Sequence, residues 1–387
     1  MKYLRQLLKA VLLLFALLVA FLYIFDYDYL LKAVRVTYLT GHKTAFLDDY
    51  SYFDNRPVSN EAAEIQPWPE HKAYNTITPP DTLQRLHDAY GTVAFLIIKN
   101  DSLWHESYFQ GYHEDSISNS FSMAKTMVSA MLGRAIMQGK ISSLEQPVGD
   151  FIPEFKRGSA GELTVGDLSS MASGLNWDES YYSPFSVTTR AYFDSELRPV
   201  IKDLQVVEKP GVSFKYLSGN TQLLGMVLEK ATGMTLSEYL SREFWRPMGA
   251  EHPALWQIDS RNSGMEKAYC CIAATARDFA RFGKLYKDAG NWNGQQLIPA
   301  SFASLSTRPR FEASPEYGYG LWLVQHRNKH FFMLKGHLGQ YVIVQPEDNL
   351  IIVRLGRSNA EKSNEKKHRT DIYGYIDAAY KMIENAS

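Results

Sequence analysis

The sequence predicts an α+β fold: an antiparallel sheet flanked by helices, an all-helical subdomain, and an apolar helix ahead of both. Three observations predict it. Apolar runs with strand spacing stand near residue 95 and again after residue 319. Helical spacing dominates residues of about 140–300 between them, and the first 25 residues form an apolar stretch behind a basic start. Strands from both ends of one domain close into a single sheet, with the intervening helices packed beside it.

Lys2, Arg5 and Lys9 precede the unbroken apolar run Ala10–Phe25, which ends at Asp26 and Asp28. This pattern directs a chain to a membrane. The run's helix reaches only about 24 Å against a hydrocarbon core of about 30 Å, but Leu7 and Leu8 lengthen it if Lys9 snorkels. A cleaved signal peptide is the rival, and it would want small residues where Phe21–Tyr29 is bulky. Residues 1–25 are therefore expected to anchor the chain, basic end inside, with the rest extracytoplasmic, in the periplasm or on the outer face of the cell membrane.

Residues 26–78 read as a juxtamembrane tether packed on the catalytic domain, closing at the turn-prone Thr78-Pro-Pro-Asp81. Residues 79–387 form that domain. Thr92–Lys99 and Leu103–Phe109 are strands joined at Asn100-Asp101. A helix over Phe121–Gly133 and beyond carries Met127, Val128, Met131, Leu132 and Ile136 on one apolar face. Thr221–Thr232 and Ala274–Asp288 are the clear helices of the middle. The period then changes. Tyr319–Val324, His330–Leu334, Tyr341–Val344 and Leu350–Leu355 read as antiparallel strands, with a turn over Gln345–Asn349 and a last helix over about Asp371–Glu384. There is no internal repeat.

With 45% apolar residues and a net charge of −1, the chain can bury a large core, and nothing in it suggests nucleic-acid binding. The 24 Tyr and 20 Phe can line a pocket or simply fill the interior. Cys270 and Cys271 are adjacent and cannot staple distant segments; two small buried residues are expected rather than a vicinal disulfide. No metal signature is present, and His326 and His330 flank a polar turn.

Ser122 and Lys125 place a hydroxyl and an amine one helical turn apart. A serine hydroxyl is a poor nucleophile at neutral pH. It needs a neighbour to take its proton and a site to hold the oxyanion, part of which a helix N-terminus supplies. The same spacing recurs at Ser363–Lys366, but there the flanks are polar and read as a solvated loop. Free lysine titrates at about 10.4, so burial or a second group must adjust the pair. Tyrosine is the natural partner, its phenolate favoured by a nearby ammonium. Tyr216, in Tyr216-Leu-Ser218 after the Pro210-Gly211 turn, is the candidate, with simple packing as the alternative. The third piece is Lys335-Gly-His-Leu-Gly-Gln340 between two strands. Gly339 would let a substrate approach the backbone, and the Gln340 N–H could be a second oxyanion donor. By itself this piece is only a strand-end turn.

Together the pieces, in the order Ser-x-x-Lys, Tyr-x-Ser and His-x-Gly, resemble the serine β-lactamase and penicillin-binding-protein superfamily over about Thr82–Ile383. Flanking segments such as Asp167–Leu175, Arg246–Gly249 and Tyr317–Gly320 look most like the class C-like branch, which includes esterases, D-amino-acid peptidases and 6-aminohexanoate-dimer hydrolases. Gly41–Tyr50 adds similarity to proteins of the last kind. The resemblance implies a β-lactamase/transpeptidase-like fold and a Ser122 acyl-enzyme. Lys125 and Tyr216 would share proton transfer, Tyr216 would activate the deacylating water, and the Ser122 and Gln340 N–H groups would form the oxyanion hole. Ser218, His337 and Gly339 would meet a small amide or ester substrate, and no cofactor is implied. Trp177 and Tyr181 are expected at the pocket border, with core packing equally open. Two departures stand out: Ser218 replaces a frequent asparagine, and His337-Leu-Gly339 replaces Lys-Thr-Gly, losing a permanent cation. Both argue against efficient penicillin hydrolysis, leaving a D,D-peptidase or a weak class C-type β-lactamase or esterase as alternatives. An envelope-binding module without activity would show an eroded trio, and here all three residues are present. A Ser-His-Asp hydrolase would need Gly-x-Ser-x-Gly, which is absent.

Overall fold

Helix α1 (Lys2–Ile24) buries none of its residues, and it is long and apolar enough to cross a membrane by length and composition. The computed structural model describes residues 1–387 apart from 62, 364, 386 and 387. The chain continues with α2 (Tyr29–Val36), β1 (Asn55–Val58), α3 (Asp81–Tyr90), β2 (Thr92–Lys99), β3 (Ser102–Tyr108), β4 (Ser118–Asn119) and α4 (Ala124–Met137). The middle holds α5 (Val165–Ser169), α6 (Val187–Phe193), α7 (Leu197–Lys202), α8 (Ser218–Thr232), α9 (Leu236–Leu240), β5 (Ala254–Gln257), β6 (Ile272–Ala274) and α10 (Ala276–Lys287). After the small hairpin β7 (Asn291–Trp292) and β8 (Gln295–Gln296) come α11 (Ala300–Ser306), β9 (Trp322–His326), β10 (Lys329–Gly336), β11 (Gln340–Gln345), β12 (Leu350–Gly356) and α12 (Thr370–Glu384).

Six strands form one antiparallel sheet in the order β3-β2-β12-β11-β10-β9, so segments more than 200 residues apart pair directly, as Ile97 does with Ile352. Two-residue turns set the registers. Asn100 and Asp101 join β2 to β3, and Arg327 and Asn328 join β9 to β10, all four with left-handed φ. Both faces of the sheet are covered, which is why β2, β11 and β12 read as continuous apolar runs. Alternate residues serve two cores. Phe95, Ile97, Ile343 and Ile352 pack with α12 through Ile372 and Ile376, whereas Leu96, Ile98, Val342 and Val353 face the large core shared with α4, α8 and α10.

A second, four-stranded sheet, β1-β5-β6-β4, has no counterpart in the strands the periodicity predicts, and because β5, β6 and the β7–β8 hairpin fall within 140–300, the subdomain expected to be all-helical is not. Its strands are two to four residues long, too short to show alternation. Two predicted boundaries also move, each for a tertiary reason. Helix α8 begins at Ser218, three residues early, because Glu179 accepts from its backbone N–H at 2.6 Å. Strand β9 begins only at Trp322, because Thr126 and Ser129 on α4 donate to the Gly320 and Tyr319 carbonyls and hold that stretch as a turn. Of the second Ser-x-x-Lys copy, residue 364 lies outside the described residues; Glu365 and Lys366 are exposed.

Candidate active site

Ser122 sits on a single 3-10 turn, Phe121–Met123, that runs into α4. The small sheet delivers it. Ser118 and Asn119 pair with Ala274 and Ala273, and Ser120 and Ile272 exchange hydrogen bonds at 2.8 and 3.0 Å. The Phe121 N–H then donates to the Asn119 side chain at 2.9 Å. Phe121 is held at φ +45°, a conformation that costs a residue with a Cβ about 1–3 kcal/mol and clusters at functional sites. Behind the turn, α4 buries Met127, Val128, Met131 and Leu132, so the site rests on a rigid element.

The Lys125 amine, 3% exposed, donates to Ser122 Oγ at 2.9 Å and to the Tyr269 carbonyl at 2.8 Å. Burial holds its pKa down at about 8, against a smaller opposing pull from Glu179. Tyr216 completes the group: its phenol lies close enough to Ser122 for the serine to pull its pKa down, and the lysine amine lies 5.1 Å from its ring centroid. Trp322 and Tyr317 pack around that ring at 5.1 and 6.0 Å. The three predicted residues therefore converge. The expected favouring of the phenolate does not hold, because burial, followed by Tyr181 and Glu179, pushes the phenol well above its ordinary value and outweighs the pull of Ser122.

Two groups at the site were invisible in the sequence. Glu179 accepts from the Ser218 hydroxyl at 2.7 Å and from the Tyr181 hydroxyl at 2.6 Å, in addition to capping α8. Tyr269 offers its carbonyl to Lys125, while its own hydroxyl is buried with no hydrogen-bond partner among the described residues. Glu179 lies in an irregular loop and a backbone carbonyl has no residue signature, so only an aligned set of relatives could have pointed to either.

The segment 335–340 lies against the serine turn. Gly336 makes this possible, since a Cβ there would collide with the Ser120 carbonyl. His337 stacks on Tyr181 and meets Phe121 edge-on, both at 5.5 Å, and its buried Nε2 has no hydrogen-bond partner among the described residues. Burial pushes its pKa down to about 4, so the ring is neutral where a cation was lost. Gly339 has another reason than substrate approach: at φ +82° its missing Cβ leaves room for the Arg354 guanidinium, which donates to the Gly339 carbonyl at 2.8 Å. The Gln340 side chain is buried between His337 and Gly356. Trp177, expected at the pocket border, instead packs inward against Gly219 and Tyr269, a core position. Cys270 and Cys271 are buried as expected but joined in a disulfide, correcting the reading of two free thiols.

Ser122, Ser218, His337, Tyr181 and Tyr269 open onto one cleft of about 100 Å³. A serine with a buried lysine and a tyrosine in contact, on an antiparallel sheet flanked by helices, defines a serine hydrolase of the Ser-x-x-Lys kind. The chain belongs to the Beta-lactamase family, whose model matches residues 81–374. It is 26% identical over 298 residues to 6-aminohexanoate-dimer hydrolase of Paenarthrobacter ureafaciens, covering 71% of this chain and 75% of that one. Protein flp of Staphylococcus aureus is 22% identical over 303 residues, 69% of this chain and 60% of its own length. Among solved structures, a Bacillus anthracis protein named for 6-aminohexanoate-dimer hydrolase superposes with a TM-score of 0.69 at 22% identity, covering 91% of this chain and 93% of that one. The fold shared with it therefore extends beyond residues 81–374. A D-stereospecific amidohydrolase from Streptomyces aligns with a TM-score of 0.59 at 18% identity, over 77% and 97%.

Proposed function

We propose that the protein is a membrane-tethered, extracytoplasmic hydrolase that cleaves a small amide or ester through a Ser122 acyl-enzyme. Residues 1–25 would be the anchor, 26–78 the tether, and 79–387 the hydrolase domain, with a mainly helical subdomain at about 140–300 that also carries β5–β8. The observation that carries the chemistry is the 2.9 Å contact between Ser122 Oγ and a buried lysine amine held at about 8. A neutral Lys125 keeps a lone pair for the serine proton, and the Tyr269 carbonyl fixes its direction.

In acylation, Ser122 Oγ bonds to the substrate carbonyl carbon as its proton passes to Lys125. The Ser122 and Gln340 N–H groups receive the oxyanion. Tyr216, still protonated, gives its proton to the leaving amine or alcohol as that bond breaks, and Lys125 returns a proton to the phenol. Water repeats the sequence in reverse to release the acid. The neutral His337 offers no fixed charge for a substrate carboxylate, and the Ser218 hydroxyl is already engaged by Glu179, which supports a neutral amide or ester over penicillins or a D-alanyl peptide terminus. Labelling by a fluorophosphonate, located by peptide mass at Ser122, tests the reading. Failure to label, or a Ser122→Ala variant that keeps hydrolysing activated esters, would overturn it.

A further inference from the structure

We propose that the cleft takes its substrate from a bilayer, and that the substrate is a long-chain acyl ester or amide. This rests on the serine-hydrolase reading above, replaces its small substrate with a long-chain one, and adds a direction of entry. One wall of the cleft comes from outside residues 81–374, the stretch that the family model matches. Thr37, Tyr38, Thr44 and Ala45, from the stretch just after α2, line the cavity that holds Ser122 together with Tyr182 and Pro184. The wall is fixed rather than draped. Tyr29 and Val36 of α2 are buried, the Tyr29 hydroxyl donates to the Pro184 carbonyl at 3.0 Å, and Tyr27 meets Phe185 edge-on at 6.0 Å.

These contacts leave the cleft little distance from α1. Ile24 ends that helix, and Tyr27 is three residues on, at most about 11 Å of extended chain. Whatever surface α1 enters therefore lies beside Phe185. Of the cleft's lining, Tyr38 and Tyr182 are 65% and 77% exposed, and Leu39 and Phe185, next to this lining in the chain, are 76% and 70% exposed; Lys43 is the cation among these groups, placed to meet an anionic headgroup. Such a rim is costly to leave in water, and tyrosine is favoured at the boundary between lipid and water. Phe121, Tyr192 and Phe193 are among the residues that line the cavity, an apolar surface for the first carbons of an acyl chain whose carbonyl stops at Ser122 and whose remainder stays outside in the lipid. The chemistry is the acyl transfer already described, with the fatty acyl group carried on Ser122 Oγ and the headgroup alcohol or amine leaving with the proton from Tyr216.

The test uses the full chain reconstituted in vesicles of phosphatidylcholine and phosphatidylglycerol. Turnover of a palmitoyl ester of a fluorogenic phenol embedded in those vesicles is compared with turnover of the soluble acetyl ester and of the palmitoyl ester dispersed in detergent. The vesicle-borne ester is expected to be turned over at least about tenfold faster than the acetyl ester, and the double variant Leu39→Ser, Phe185→Ser to lower that ratio about tenfold. A preference for the acetyl ester, an equal rate from detergent, or a ratio unmoved by the double variant would overturn the proposal. Loss of the proposed function itself reads differently: acetyl ester hydrolysis would then survive Ser122→Ala.

Discussion

In the six-stranded sheet, β2, β11 and β12 divide alternate aliphatic residues between two apolar cores. In the four-stranded sheet, the groups that hold β4 in place are polar. Asp49, fully buried, accepts from the Tyr192 hydroxyl at 2.7 Å, from the Asn119 amide at 2.8 Å and from the Phe46 N–H at 3.3 Å. Burial pushes its carboxyl up to about 6 despite these partners. The buried Lys267 amine, driven well below its ordinary value by desolvation, donates to the Tyr192 carbonyl and lies 4.3 Å from the Phe53 ring centroid. Apolar packing is non-directional and tolerates small shifts. A buried hydrogen bond fixes distance and angle. The protein uses the first to hold the sheet and the second to aim Phe121 and Ser122, so a polar network reaching into residues 46–53 positions a nucleophile some 70 residues later.

The largest expected effect separates chemistry from scaffold. Ser122→Ala should lower turnover of an activated ester by at least about 10³-fold while leaving the thermal midpoint unchanged, measured by steady-state kinetics and calorimetry. In the large sheet, Ile352→Ala should cost about 2–5 kcal/mol in denaturant unfolding, with turnover per folded molecule unaltered. In the small sheet, Asn119→Ala should cost only about 1–3 kcal/mol because it strips one partner from Asp49 and one from Phe121. It should nevertheless lower kcat about tenfold, the price of a misaimed serine. Full kcat in that variant would erase the distinction between the two sheets.

The smallest effect is a pH limb. Protonated Lys125 cannot accept the serine proton, and its deprotonated fraction grows as pH rises through about 8. Thus kcat/KM should climb about tenfold per pH unit below that point and level off above it. A flat profile between neutral pH and that point would assign the base elsewhere. The same shift has a stability sign. The contribution of neutral Lys125 is present above the ordinary lysine pKa and is lost as pH falls through about 8, so the charged form is a standing cost at neutral pH.

Much of the large sheet was legible because period and burial leave marks on neighbouring residues. Leu350–Leu355 reads as a strand without knowledge of its partners, and the Ser122–Lys125 spacing places both groups on one turn without knowledge of what surrounds them. The short strands of the small sheet were not legible, since two residues carry no period. Trp177 and Gly339 show the converse limit: residue type left both pocket and packing open for Trp177, and only the structure shows its contact with Gly219 and the contact of Gly339 with Arg354.

What the sequence by itself determined was the local material: the apolar helix at the start, the strand and helix periods, a serine one turn from a lysine, and motif spacing enough to identify the superfamily. Only the tertiary structure decided the electrostatics and the walls of the cleft. Lysine at about 8 and phenol pushed upward depend on how much water each has lost and on how near Glu179 stands, and the wall from residues 37–45 depends on where α2 docks. Desolvation and approach are properties of a volume, summed over groups distant along the chain, and no local run of residues encodes them.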